Sequence, residues 1–235
     1  MDPLARLAPV ARPLLRDVDN AFATLGAPAE HPVWGLLRRV GTTPSDAVTF
    51  FVNLDPDRLR AARDALRDRA MAYGRATVPT NVPWEGSAAQ SYAASATALS
   101  RHLHGDADES MASRLGANAS YVDSVAEWVQ RSRDQVARTV AQVLTSSQAV
   151  TVRSVPTMGR GFVEVMRNDG LGAGIAQALA AAADIGAAVL GVAEDAMVAG
   201  RDLHGTAAPA LAELSYRPPA QLDPVHQGAR IRLQH

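Results

Sequence analysis

Thr77 to Pro83 reads TVPTNVP and separates two long stretches whose apolar residues recur at helical spacing. Pro79 and Pro83 fall within five residues. The residue before a proline is pushed out of the helical region into extended backbone. No regular helix passes through such a segment, so the chain must break and re-enter, and Trp84-Glu85-Gly86 follows the break directly. The upstream stretch opens at Asp55-Pro56, a capping side chain followed by proline at the first helical position. It is expected to run to about Ala76, with Leu59, Ala62, Leu66 and Tyr73 on one face. Arg58, Arg60, Arg63, Arg67, Asp64 and Asp68 lie mostly elsewhere, with Asp64 four residues from Arg60 and three from Arg67. Each such pair stabilises a helix by only a few tenths of a kcal/mol. Downstream, Ser87 reads as the cap of a second helix, and Tyr92, Ala96, Leu99 and Leu103 follow at steps of 4, 3 and 4. Gly105 is a candidate kink. The pattern resumes at Met111 and Leu115 and continues through Val122, Val125, Val129, Val136, Val140 and Val143, close to heptad spacing. Ser87 to about Leu144 is thus one broken rod or two helices.

Composition points the same way. Hydrophobic residues make up 47% of the 235, but aromatics only 5%. Much of the apolar content is alanine, which favours helix over strand. All 23 cationic residues are arginine, as expected of GC-rich coding, and they read as solvated helix faces. A net charge of −1 excludes a global basic field for nucleic acid. With no cysteine there is no disulfide and no thiolate metal site. MDPLARLAPVARPLL lacks a continuous apolar run, so no cleavable signal peptide is expected. The most apolar segment, Leu171 to Gly200, is interrupted by Asp184, Glu194 and Asp195, which argues for a soluble protein.

Elsewhere the signals are local. Pro13 suits the first turn of a helix, followed by Leu14, Val18, Phe22 and Leu25, with Gly26 as its stop. A loop to Pro32 and the short apolar run Val33-Trp34-Gly35-Leu36-Leu37 lead to Gly41. Thr43-Pro44 repeats the cap signature and opens a short helix through Phe50 and Phe51. Ala149 to Val155 alternates like a short strand, but a lone strand has no partner, so linker or irregular helix is expected. Gly172 to Leu203 is an Ala-rich helix buried on more than one face. Ser215 to His235, with three prolines and no periodicity, is expected to be mobile. The fold class expected is all-α: an elongated helical hairpin or bundle around the W-x-G turn, with extra N-terminal helices and an Ala-rich C-terminal helix. The divisions are short helices at 1–54, the hairpin with its long second arm at 55–144, linker and Ala-rich helix at 145–214, and the tail at 215–235.

Helix, proline-containing loop, Trp84-Glu85-Gly86, then Ala88, Ala89 and Tyr92 within a second helix: this resembles the WXG100 superfamily of type VII (ESX) secretion substrates and their relatives. The resemblance covers about Asp55 to Leu103, extending at most to Leu144. It implies a helical hairpin with W-x-G in the turn, small residues after it and then an aromatic. The residues support that reading. A turn tryptophan closes the end of a hairpin, glycine permits positive φ, and small residues let the second helix approach. Two departures stand out. Small members of the family are about half this length. The family's export signal, Tyr-x-x-x-Asp/Glu, is not met, because Tyr73, Tyr92, Tyr121 and Tyr216 are followed four residues on by Thr77, Ala96, Val125 and Ala220. In the family one member of a heterodimer often carries the signal for both, so the chain travels with a signal-bearing partner or is not itself exported.

No catalytic, cofactor-binding or metal residues are assigned. His102, His104, Asp106, Asp108 and Glu109 are the only cluster of ligand types. His104 and Asp108 share a helical face while His102 and His104 do not, so a solvated bend is the simpler reading. Gly170-Leu-Gly172-Ala-Gly174 lacks a preceding strand and reads as a helix lead-in, not a dinucleotide loop. The expected function is therefore non-enzymatic: a type VII secretion-associated substrate or co-secreted partner acting by helix–helix binding. Its partner is another copy, a small W-x-G protein or a secretion-machine component, with no nucleic acid and no required membrane contact. Trp84, Gly86, Ala88, Ala89 and Tyr92 carry the turn and partner contact. The chain is expected to be secreted or surface-located without a cleavable signal, or cytoplasmic if not exported. The alternatives are a membrane-active effector with residues 172–203 as a masked apolar helix, or a cytosolic helical protein unrelated to secretion.

Overall fold

The computed structural model describes residues 2–81, 83, 85–104, 110–154 and 172–213, and of 172 and 209–213 the backbone alone. All regular structure among them is helical, as expected: α1 (Pro3–Thr24), α2 (Val33–Val40), α3 (Pro44–Asn53), α4 (Pro56–Gly74), α5 (Ser87–His104), α6 (Met111–Leu144), α7 (Ser147–Ser154) and α8 (Gly172–Glu213). The chain divides into two compact units. One comprises residues 1–59 and 124–205, the other 60–123 with 206–235.

Three helices open with the same two-residue device. Asp2 accepts a hydrogen bond from the Leu4 N–H at 2.9 Å, Thr43 from Asp46 at 3.4 Å, and Asp55 from Asp57 and Arg58 at 3.0 and 3.2 Å. Each is followed by a proline. The first corrects the sequence reading, which starts this helix at Pro13. In fact Pro9 and Pro13 lie inside α1. They are four residues apart on its exposed side, and Ala5 and Pro9, whose carbonyls lose their helical donors, are exposed residues. The opposite face buries Leu4, Ala11, Leu14, Leu15, Val18 and Ala21.

In the first unit these side chains share one core with Phe51 of α3, Val136 and Val140 of α6, Ala149 and Val152 of α7, and Ile185, Val189 and Leu190 of α8. Burying each large aliphatic side chain contributes roughly 1.5–3 kcal/mol. Helix α7 lies where the sequence alternates like a strand. Ser146 caps it, accepting from the Ala149 N–H at 3.1 Å, and the three-residue spacing of Ala149 and Val152 puts both on one buried side. The run from Val33 also proves helical. Gly41, at φ +73°, closes α2 and donates its N–H to the Leu37 carbonyl. Between α1 and α3, Asp19 accepts from the Thr43 hydroxyl at 3.0 Å and from the Ser45 hydroxyl. Its other carboxylate oxygen is buried without a partner, and burial pushes the carboxyl above its usual range.

Arg133 of α6 ties this unit together. Its guanidinium donates to the carbonyls of Phe51, Val52 and Leu54 at the C-terminal end of α3, and it ion-pairs with Asp2, the N-cap of α1. One buried cation thus holds both the end of one helix and the start of another. Helix α8 is held by two polar contacts through its carboxylates. Asp184 meets the His31 ring at 3.2 Å, and Glu194 forms a two-point ion pair with Arg39, one leg at 2.9 Å. Two of the three charges that interrupt this apolar helix therefore have partners within the unit.

Two glycines allow side chains to lie against α8. A Cβ on Gly186 would stand 2.7 Å from the Phe22 ring, and one on Gly200 would stand 2.8 Å from the Trp128 indole. That indole is fixed, because its Nε1–H donates to the Ala196 carbonyl at 2.9 Å. Gly200→Ala is therefore expected to lower unfolding free energy by about 1–3 kcal/mol despite its better helix propensity. It should also shift the emission of Trp128. A stabilised Gly200→Ala variant would show that the indole does not pack there.

Candidate interaction surface

The second unit contains most of α4, all of α5 and the first part of α6. Its packing is thin. Helix α4 buries no residue, α5 buries only Ala96, and here Ser110, just before α6, and Arg114 and Ala119 of α6 are also buried. Of the stripe expected on α4, Leu59 and Leu66 are half-buried and Ala62 and Tyr73 exposed. Large apolar side chains are correspondingly open to solvent: Met71 at 50%, Tyr73 and Tyr92 at 36%, Leu99 at 47%. A soluble helix normally buries one apolar stripe, and one without it needs either many ion pairs or another surface to cover it.

Ion pairs supply part of what α4 lacks. Arg63 donates to Asp123 of α6 at 2.6 Å and to neighbouring Asp64 at 2.9 Å, and Arg67 reaches Asp123 at 3.1 Å. The sequence suggests pairing within α4, whereas here Arg67 serves a contact 56 residues away. Hydrogen bonding from Arg63 holds both the Asp123 and the Asp64 carboxyl below the ordinary 3.8. A carboxyl with a lowered folded pKa contributes stability above its unfolded pKa and loses it as pH falls through the folded one. Amide protection along α4 is accordingly expected to persist through mild acid and to fall only below the ordinary carboxylate range. Asp123→Asn should remove that dependence, and hydrogen exchange measured against pH checks both.

Of the turn motif, Trp84 lies outside the described residues. Gly86 has φ +100°, a conformation that suits glycine, and a Cβ there would meet nothing within 4 Å. Its carbonyl accepts from the Gln90 N–H at 3.2 Å, the first helical bond of α5. Gly86 therefore stands at the N-cap and Ser87 is already in the helix, one residue earlier than the sequence suggests. The backbone conformation explains the shift, because the chain turns at the glycine and is helical immediately after it. Ala88 is exposed, Ala89 half-buried, and Tyr92 lies on the open side of α5. Where the sequence leaves one rod or two open, two helices are described, α5 and α6. Met71 joins the exposed group without having been singled out in the sequence, since it falls off the Leu59–Leu66 stripe.

Among the described residues no group of three or more His, Asp or Glu is placed to hold a metal ion. Gly105 and the acidic run Asp106 to Glu109 lie outside them, as does the tail from residue 214. Comparison with family models, curated proteins and solved structures gives no match.

Proposed function

We propose that the chain is a helical interaction protein of the type VII secretion-associated kind, a substrate or co-secreted partner that works by binding another helical protein through α4 and α5. The observation that carries this reading is the combination at the turn. A glycine at positive φ opens α5 directly after Trp84-Glu85, while both flanking helices expose large apolar side chains. A face left this open on both helices favours a partner that covers it. None of the four tyrosines is followed by the export spacing, so export on this reading requires a partner that carries the signal. On this reading the chain has no catalytic role, and it leaves the cell with its partner.

The test is affinity capture of the tagged full chain from its own host, with co-purifying proteins identified by mass spectrometry. Wild type is expected to recover a small W-x-G protein bearing Tyr-x-x-x-Asp/Glu, or a secretion-machine component. Trp84→Ala and a Tyr92→Ala, Leu99→Ala double variant are expected to lose it. Recovery of the wild-type chain alone would sink the proposal.

A second reading, a membrane-active chain, draws on α8. Ala173–Ala208 is long and apolar enough to cross a bilayer, with an 18-residue window of mean hydropathy 1.8. Half of that window is buried within the protein, and Asp184 and Glu194 are paired there, which favours a core helix. Liposome leakage at pH 7 and pH 5 separates the two readings, and none is expected at either.

A further inference from the structure

A groove of about 200 Å³ runs between α1 and α3 in the first unit. Its floor includes Leu15 and Val48, both buried core residues, and its rims are charged. Arg12 and Arg16, four apart on α1, line one side, and Asp46 and Asn53 of α3 line the other. Arg12 and Arg16 make no ion pair among the described residues, and Asp46 pairs with neither although it lines the same groove. Two like charges on one wall and an opposite charge on the other, with an apolar floor between, match a ligand whose own charges are separated in the reverse sense. A plain anion would use the guanidiniums but be repelled by Asp46. A plain cation would meet the converse.

The geometry points to a binding site for a small zwitterion. Its anionic group lies between the Arg12 and Arg16 guanidiniums, its ammonium faces Asp46, and its short linker rests on Leu15 and Val48. The charged rims are exposed, so each contact is weak and the affinity is in the millimolar range. The site is independent of the α4–α5 surface, and neither reading depends on the other. The chemistry is shared by free phosphoethanolamine-like molecules and by the headgroup of phosphatidylethanolamine.

The experiment is an amide chemical-shift titration of the full chain with phosphoethanolamine, inorganic phosphate and ethanolamine in turn. Phosphoethanolamine is expected to shift amides of α1 and α3 at millimolar concentration, with phosphate about tenfold weaker. Asp46→Asn should bring phosphoethanolamine down to the level of phosphate. Arg12→Gln with Arg16→Gln should abolish the response to both, while Arg6→Gln, on the same helix outside the groove, leaves it unchanged. Flotation with phosphatidylethanolamine vesicles, lost in the double variant, assigns the ligand to a lipid headgroup. Soluble binding without flotation assigns it to a free molecule, and either result upholds the site. Equal response to phosphate and phosphoethanolamine, response unchanged in the double variant, or no response at tens of millimolar overturns it.

Discussion

Arg133→Met is expected to lower the unfolding free energy of the first unit by about 3 kcal/mol or more, among the largest effects of any single substitution in this chain. Methionine keeps much of the apolar stem but removes every donor. The carbonyls of Phe51, Val52 and Leu54 then lose their side-chain partner, and Asp2 loses its counter-charge. The Arg133 side chain is only 7% exposed, so water does not readily replace it. The end of α3 and the first turn of α1 should loosen together, visible as hydrogen exchange in both segments. Arg131→Met is the contrast. That side chain is 66% exposed and pairs with Glu127 at 3.5 Å, so its loss should cost no more than about 0.5 kcal/mol. Equal effects for the two substitutions would remove the role given to Arg133.

Leu190→Ala is expected to cost about 2–5 kcal/mol, because the side chain is fully buried and α8 supplies much of the first unit's core. Urea unfolding followed by tryptophan emission is a suitable measurement, since Trp128 is hydrogen-bonded to α8 at Ala196. The midpoint should fall with little change in the slope. Met197→Ala, on the open side of the same helix at 36% exposure, should cost well under half as much. The result bears on function as well as stability. A helix held in reserve for a bilayer would tolerate Leu190→Ala nearly as well as Met197→Ala, whereas a core helix cannot. Equal and small losses would therefore revive the membrane reading of α8.

Much of the architecture is legible because it is local. The Thr43-Pro44 and Asp55-Pro56 signatures mark the starts of α3 and α4. The apolar recurrence from Val129 to Val143 falls on the buried side of α6. The sequence reading misses α1 at Pro3 by taking Pro13 as a start. A proline says only that one helical donor is missing, and here the residues that lose it, Ala5 and Pro9, lie on the exposed side of α1. The candidate surface is partly legible too. Gly86 is recognisable as a turn residue, and Tyr92 and Leu99 fall on one stripe of α5. That Tyr92 and Leu99 stay open while Ala96 between them is buried depends on what packs against the stripe, which spacing does not encode.

The sequence by itself determined the all-helical class, because propensity, capping and proline restriction act within a few residues of chain and alanine dominates the apolar content. Only the tertiary structure decided that Arg133 seals α3 and α1, that Asp123 takes Arg63 and Arg67, that Gly200 lies beneath Trp128, and that Arg12 and Arg16 face a groove unpaired. On a helix surface one arginine looks like the next. For the long-range contacts, which of them finds a carboxylate or a carbonyl is settled by distances between segments 56 to 155 residues apart, and those distances exist only once the helices have packed.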